Sequence, residues 1–321
     1  MRSATAFGSL TQVIVGAVQH LVHWDELERH RREAGHLAVA TRDLGTAAGT
    51  VGVGVTRFEV DAGKWSTPAH AELVEEEIFY VLAGSGLAWM DGTTYEIGAG
   101  DCLVYLAAEE AHTHKAGREG LDLLAFGMRS YHAGTLLPRA GTVRMDPAWL
   151  DTSPDSRHPW EREAAAGEPE TGTPAERPAN ILNVAESKRY DSSHIDDRDL
   201  GPMSERTGLC QVTLEPGKEG YPPHCHSADE EIFVILDGSG TIYLGDEEAP
   251  VRRGHVLGRP SGTGVAHSFR AGDGGMTYLA YGTRERNDIA YYPRSNKVNF
   301  RGIKLIGRIE RLDYWDGELP E

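Results

Sequence analysis

Cysteine is scarce in this sequence, which has three cysteines in 321 residues, at Cys102, Cys210 and Cys225. An odd number of cysteines without a C-x-x-C pair is typical neither of a disulfide framework nor of a zinc site built from thiolates. The sequence therefore excludes the class of small disulfide-stapled secreted folds. A reducing cytoplasm is the simplest predicted location.

Positive charge is also in short supply, since 32 Lys and Arg residues face 49 Asp and Glu residues and the formal net charge is −17. Such a surface repels phosphate groups, so we expect neither nucleic acid nor an anionic membrane as a partner. Long hydrophobic runs are missing too, because no stretch approaches the ~20 apolar residues of a membrane span. The apolar residues 10–20 are interrupted by Thr11 and Gln12 and follow one basic residue, which does not fit a signal peptide.

An internal repeat is the main positive feature of the chain. Residues 76–84 read EEIFYVLAG and residues 230–238 read EEIFVILDG. Ordered matches at one offset predict two copies of a single domain. The offset is 154 for His70 with His224 and for Gly84 with Gly238, and 155 for His112 with His267.

Each copy has the pattern of an all-β domain. Short apolar runs such as residues 77–82 and 121–126 alternate with glycine-containing turns, a spacing that predicts a sandwich or a jelly-roll barrel. Two short helices are predicted in addition, at Trp24–Glu33 and near Val184. The predicted domains are residues 1–150 and 181–321, joined by a linker rich in Pro and Glu at residues 151–180.

A hairpin in the second copy carries chemistry-bearing side chains. His224 and His226 are two residues apart, so on an extended strand both imidazoles point to one face while Cys225 points to the other and packs. Glu231 begins the return strand and can face the same way. Two imidazoles and a carboxylate that converge from one hairpin suit a divalent metal of the Mn, Fe, Ni, Cu or Zn group.

This hairpin resembles the first motif of the cupin superfamily, G-x5-H-x-H-x3–4-E-x6-G, with His224, His226, Glu231 and Gly238 in place. The stretch from Gly254 onward resembles the second cupin motif, although its histidine, His267, comes two residues later than in the motif. The resemblance implies a bicupin, with two tandem cupin-type jelly-roll β-barrels and a metal site in the mouth of each. It implies that the second site consists of His224, His226, Glu231 and His267.

The first copy departs from the motif, because Glu72 stands where the superfamily has its second histidine. The implied set there is His70, Glu72, Glu77 and His112. One interpretation is a second metal site with more anionic ligands, which would favour Mn or Fe. The other interpretation is a degenerate barrel that is kept for structure.

Residues around the second site suggest how a substrate would bind. Phe233, Ile235 and Phe269 share the parity of the ligands and are predicted to line the barrel beside the metal. Arg259 is a weaker candidate, which would either orient an anionic substrate or lie on the outer face of the barrel.

The resemblance implies a metal-dependent enzyme for a small organic substrate, with Fe or Mn as the favoured metal and Ni, Cu or Zn as alternatives. Our leading hypothesis is an oxidoreductase of dioxygenase type, similar to the quercetinase-like and gentisate-type enzymes, whose open metal positions accept substrate and O₂. A redox-neutral decarboxylase of the oxalate type or an isomerase is an alternative. A non-catalytic protein that binds a metal or a small ligand is another. The resemblance also allows a homodimer.

Overall fold

Strands make up most of the regular structure in the computed structural model, which describes residues 19–130, 133–145, 148–151 and 155–318. The apolar residues 10–18 lie outside this part of the chain. The first half contains β1 Leu21–His23, β2 His30–Ala34, β3 Leu37–Asp43, β4 Val53–Val60, β5 Ala71–Glu72, β6 Glu77–Met90, β7 Thr93–Gly98, β8 Asp101–Tyr105, β9 His112–Met128, β10 Gly134–Leu137, β11 Thr142–Met145 and β12 Ala148–Asp151.

The second half repeats this order of elements. Its strands are β13 Ile181–Asn183, β14 Lys188–Ser192, β15 Ile195–Asp199, β16 Thr207–Leu214, β17 Cys225–His226, β18 Glu231–Leu244, β19 Glu247–Arg252, β20 His255–Arg259, β21 His267–Thr283, β22 Ile289–Tyr292, β23 Lys297–Phe300 and β24 Leu305–Arg308. The helices are short: α1 Leu44–Ala47, α2 Pro159–Ala165, and 3-10 helices at Trp24–Glu26, Pro293–Ser295 and Arg301–Ile303. None of the helices described combines the length and the apolar character needed to cross a bilayer.

The strands form two equivalent pairs of sheets. In the first half the order is β13-β8-β6-β9-β4-β3-β2 with β7 on β6, next to a sheet β12-β11-β10-β5. In the second half the order is β1-β20-β18-β21-β16-β15-β14 with β19 on β18, next to a sheet β17-β22-β23-β24. This arrangement confirms the predicted fold class of two tandem jelly-roll β-barrels.

The two barrels exchange an edge strand. Strand β1, from the start of the chain, pairs with β20 of the second barrel, with Leu21 opposite Leu257. Strand β13, which follows the linker, pairs with β8 of the first barrel, with Ile181 opposite Leu103. The predicted domain limits remain a proposal. The large sheet of each barrel also contains one edge strand that comes from outside the predicted limits of its domain.

The predicted linker packs on the N-terminal barrel. The Glu168 carboxylate accepts hydrogen bonds from Trp65 Nε1 at 3.3 Å and from Lys115 Nζ at 2.8 Å. Arg177 donates two hydrogen bonds to the buried Asp101 carboxylate, at 2.8 and 2.7 Å. These contacts therefore attach the linker to the first barrel.

The predicted helix at Trp24–Glu33 is wrong. After the 3-10 helix, His30–Ala34 forms strand β2, which pairs with β3 at the edge of its sheet and is mostly exposed. Charged side chains such as Arg31 and Arg32 are typical of edge strands, where they discourage pairing with other chains. The helix predicted near Val184 is a turn that leads into β14.

The outer faces of the two large sheets pack against each other. Val55 and Phe126 of the first barrel belong to one buried cluster with Val234 and Tyr281 of the second. The rings of Phe126 and Tyr281 are 5.1 Å apart. Burial of these apolar faces is the main attraction between the barrels.

Two repeat-related carboxylates fasten this interface. The Glu230 side chain accepts hydrogen bonds from the backbone N–H groups of residues 51–53 in the other barrel. In the reverse direction, Glu76 of the first barrel accepts hydrogen bonds from the backbone N–H groups of residues 205 and 206 of the second. Both carboxylates are buried, with exposed fractions of 6% and 3%. Each therefore compensates for its own burial by pairing with donors across the interface.

We expect Glu76→Gln and Glu230→Gln each to lower the free energy of unfolding by about 1–3 kcal/mol, because the amide places an NH₂ group against backbone N–H donors. The measurement is the urea midpoint of each variant, followed by tryptophan fluorescence. The control is Glu109→Gln at an exposed position. Midpoints equal to that of the control would contradict the assigned role.

Candidate metal centres in the two barrels

The C-terminal barrel draws four candidate ligands from three segments at its mouth. His224 and His267 are held by reciprocal backbone hydrogen bonds, with N···O distances of 3.2 and 2.8 Å. His226 lies on the short strand β17, and Glu231 is the first residue of β18. All four residues of the predicted second site are therefore brought together.

The donor atoms of this cluster converge on one point. Glu231 Oε2 lies 3.1 Å from His267 Nε2 and 3.5 Å from His226 Nε2. Ligand atoms of His224, His226 and Glu231 all lie within 4.8 Å of one another. The rings of His224 and His267 are 4.5 Å apart. This is the arrangement expected of side chains that surround a single ion.

The hydrogen bonding of the cluster also fits a divalent ion. The Nε2 atoms of His226 and His267 and Oε2 of Glu231 are buried, and the part of the chain that the structure describes offers them no hydrogen-bond partner. Buried polar atoms without partners cost free energy, which a bound cation would recover. Burial, followed by the nearby His267, lowers the pKa of His224 to about 4, so its imidazole is neutral and its lone pair is available at neutral pH.

The outward nitrogens of the imidazoles are fixed by a second layer of contacts. His224 Nδ1 donates to the carbonyl of Pro222 at 2.8 Å. His226 Nδ1 donates to Asp288 Oδ2 at 2.7 Å. In this way each ring presents Nε2 to the centre, and a carboxylate behind His226 raises its basicity as a ligand.

Sequence reasoning missed Asp288. This carboxylate is almost fully buried and also accepts hydrogen bonds from the backbone N–H groups of Ala228 and Asp229. Arg301 forms an ion pair with Asp229 and lies 4.0 Å from Asp288, which offsets part of this negative charge. Asp288 directly precedes β22, and the equivalent position before β10 is Ala133. The comparison of the two copies therefore offered no signal for this carboxylate.

A cavity of about 290 Å³ opens beside this centre. Its walls include Phe233, Phe269 and Tyr278, and Arg301 lies at its edge. The predicted lining by Phe233 and Phe269 is thus found, whereas Ile235 is packed in the barrel core. The centre faces an apolar space, with a few polar groups for orientation, as ligand sites commonly do.

Arg259 does not lie on an exposed outer face. Its side chain is 6% exposed and donates to the carbonyl of Val265 at 2.7 Å and to Thr263 Oγ1 at 3.3 Å. It borders a small void together with Cys225 and Glu231. Its direct role in binding a substrate remains a prediction. Cys225 is buried and stays outside the ligand clusters found among the described residues.

The N-terminal barrel brings together three of its four predicted ligands. Glu77 Oε2 lies 3.4 Å from His70 Nε2 and 3.1 Å from His112 Nε2. Glu72 is outside this cluster. Its carboxylate oxygens instead accept from Thr135 Oγ1 at 2.9 and 3.0 Å. Burial, followed by the charge of Glu77, raises the pKa of Glu72 to about 7.

Aromatic rings fill the space beside the N-terminal cluster. Tyr105 stacks on His112 with ring centroids 3.6 Å apart, and its hydroxyl bonds to His114 Nε2 at 3.0 Å. Phe79 lies 4.5 Å from the ring of His114. The positions that correspond to Tyr105 and His114 in the second barrel are Arg259 and Phe269. The two barrels therefore differ in the packing beside their clusters as well as in the clusters themselves.

Comparison by sequence supports the repeat. The profile described as "Cupin domain" matches residues 56–125 and again residues 210–280. A search of curated proteins by sequence found no significant match.

Comparison by structure places the chain near two-barrel proteins of known fold. The oxalate decarboxylase of Lactobacillus farciminis, solved as a formate complex, superposes with a TM-score of 0.58 and 14% identity over 82% of this chain and 86% of that one. A deletion mutant of Bacillus subtilis oxalate decarboxylase gives a TM-score of 0.57 and 16% identity, over 83% and 77% of the two chains. The same enzyme at pH 4.6 gives 0.56 and 16%, over 83% and 76%. At this identity the likeness concerns the fold.

We predict that Asp288→Asn weakens Mn²⁺ binding at the C-terminal cluster by about 10–100-fold, because the carboxylate behind His226 is lost. Calorimetric titration of Mn²⁺ into metal-free protein measures this change. Asp246→Asn, at an exposed turn of the same barrel, is the control. An affinity in Asp288→Asn equal to that of the control would show that Asp288 does not support a metal ligand.

Proposed function

The chain belongs to the cupin superfamily and contains two cupin domains, and from this premise we propose that it is a metal-dependent enzyme whose reaction takes place in the C-terminal barrel. One observation carries the proposal. Four donor side chains, His224, His226, Glu231 and His267, converge next to a cavity that is large enough for a small organic substrate. Four protein ligands on a six-coordinate ion leave two positions for substrate oxygens.

The proposed cofactor is a divalent transition metal, with Mn or Fe favoured and Ni, Cu or Zn as alternatives. Three imidazoles and one carboxylate suit all of these ions. Mn is supported by the oxalate decarboxylase of Bacillus subtilis, which has Mn(II) centres. A metal bound here would act as a Lewis acid that polarises a substrate oxygen.

The side chains of the cavity support a proposal for the class of substrate. Phe233, Phe269 and Tyr278 form apolar walls that keep water from the reacting atoms. Arg301 is held in place by Asp229 and presents a guanidinium group at the cavity edge. A guanidinium is well suited to a carboxylate, which it can bind through two parallel hydrogen bonds. We therefore infer that the substrate is a small organic acid.

A reaction without net oxidation, either a decarboxylation or an isomerisation, is the proposed chemistry. An organic acid that places its carboxylate or an adjacent oxygen at the centre is a suitable substrate for both reactions. The fold that the chain shares with two oxalate decarboxylases supports this choice over an oxygenase. Oxalate itself is not specified by the site, because the apolar walls leave room for a larger molecule.

A dioxygenase is the second candidate. The observation that favours it is the aromatic lining, since Phe233 and Phe269 would pack well against the ring of a phenolic substrate. Stoichiometry separates the two candidates, because a dioxygenase consumes O₂, a decarboxylase releases CO₂ without O₂, and an isomerase does neither.

We expect protein loaded with Mn²⁺ or Fe²⁺ to convert at least one member of a panel of hydroxy, keto and dicarboxylic acids without O₂ uptake. Glu231→Gln should lower the turnover number by about 100-fold or more, because it removes the anionic ligand of the cluster. Glu247→Gln, at an exposed position of the same barrel, should leave turnover unchanged. The assays are an oxygen electrode, CO₂ release and product analysis.

Stoichiometric O₂ uptake would replace this proposal with the dioxygenase. A metal-loaded protein that turns over no acid and no phenol on the panel would contradict catalysis and favour a ligand-binding role.

A further inference from the structure

We propose that Asp197, held by Tyr221, is the substrate-binding residue that accepts a hydrogen bond from a hydroxyl or enol group of the substrate. This inference rests on the proposed function and specifies the substrate class further, as an organic acid that carries a free hydroxyl group. Asp197 and Tyr221 both line the cavity of the C-terminal barrel, and neither is a candidate metal ligand.

The sheet register places Asp197 on the inner face of the barrel. On strand β15, Asp197 lies opposite Val212 of β16, and Val212 lies opposite Tyr278 of β21. All three side chains line the same cavity. A carboxylate in this row, between apolar neighbours, is unfavourable for folding unless its oxygens are hydrogen-bonded.

Only half of the Asp197 carboxylate is satisfied by the residues described. Tyr221 Oη donates to Oδ2 at 2.5 Å. The other oxygen, Oδ1, is buried and has no partner in hydrogen-bond geometry within that part of the chain. The thiol of Cys210, a weak donor, interacts with the same carboxylate and also lines the cavity. Burial, and then the hydrogen bond to Asp197, raises the pKa of the Tyr221 phenol well above its usual value, so this hydroxyl remains a donor that fixes the carboxylate. Asp197 Oδ1 is thus an oriented hydrogen-bond acceptor in the wall of the cavity.

The fold does not by itself require an acid at this place. In the N-terminal barrel the position that corresponds to Asp197 is Thr41, which lies opposite Phe58 as Asp197 lies opposite Val212. The position that corresponds to Tyr221 is Thr67. The pair of Asp197 and Tyr221 is therefore specific to the barrel whose candidate metal ligands border the cavity.

Two polar parts of the cavity wall, the candidate metal ligands and Asp197, would together select the ligand. A substrate carboxylate or carbonyl would lie at the metal cluster, and its hydroxyl group would donate to Asp197 Oδ1. An ether in place of the hydroxyl has no proton to donate, and it would leave the carboxylate unpaired. Sites built to hydrogen-bond a hydroxyl group reject analogues that lack it, because a buried polar group is then left without its partner.

The test uses the three isomeric hydroxybenzoates and their methyl ethers as probes, titrated into Co²⁺-loaded protein. The visible spectrum of the bound cobalt reports binding, independently of any activity. In the wild-type protein at least one hydroxybenzoate should bind about tenfold or more tightly than its methyl ether. Asp197→Asn should abolish this preference, because its amide presents a donor to the probe once its oxygen accepts from Tyr221.

The control is Asp196→Asn, which removes the same charge from the next residue of β15, where Asp196 is paired with Arg198 on the other face. Asp197→Val is a second variant that removes the acceptor altogether and suits a strand. Both should bind cobalt normally, and only Asp197→Val should lose the preference for the hydroxyl group.

Three isomers that bind no better than their ethers, or a preference that survives in both Asp197 variants, would overturn this inference alone. A protein that does not hold cobalt, or cobalt whose spectrum responds to none of the probes, would overturn the proposed function and this inference with it.

Discussion

The geometry of both barrel mouths depends on one reciprocal backbone contact. In the C-terminal barrel the N–H and carbonyl groups of His224 pair with those of His267, and in the N-terminal barrel His70 pairs with His112 in the same way. Each contact ties a loop to the first residue of a long strand. Because the backbone fixes both residues, their imidazoles point to a common centre, which Glu231 or Glu77 then completes from a third strand.

On this shared frame the two barrels have diverged in what surrounds the centre. The C-terminal barrel has His226 supported by Asp288 and a cavity beside the cluster. In the N-terminal barrel Glu72 is bound to Thr135, and Tyr105 stacks on a candidate ligand. The linker also packs over that barrel. These differences favour chemistry in the C-terminal barrel and a structural role for the N-terminal cluster.

Much of the fold and of the C-terminal cluster could be predicted because their signals are local. His224, His226 and Glu231 lie within one hairpin, and strand periodicity alone places them on one face. The repeat then identified His267 from its match with His112. Features that depend on pairing between distant segments were out of reach. The exchange of β1 and β13 between sheets and the contact of Asp288 with His226 leave no pattern in a single sequence.

The most direct test of the account is anomalous diffraction at the manganese edge from crystals of the Mn²⁺-loaded protein. We expect a peak surrounded by His224, His226, Glu231 and His267, with coordination positions open toward Phe233 and Phe269. A C-terminal cluster without an anomalous peak, or an ion there whose positions are all occupied by protein atoms, would contradict the claim that this barrel is the site of reaction.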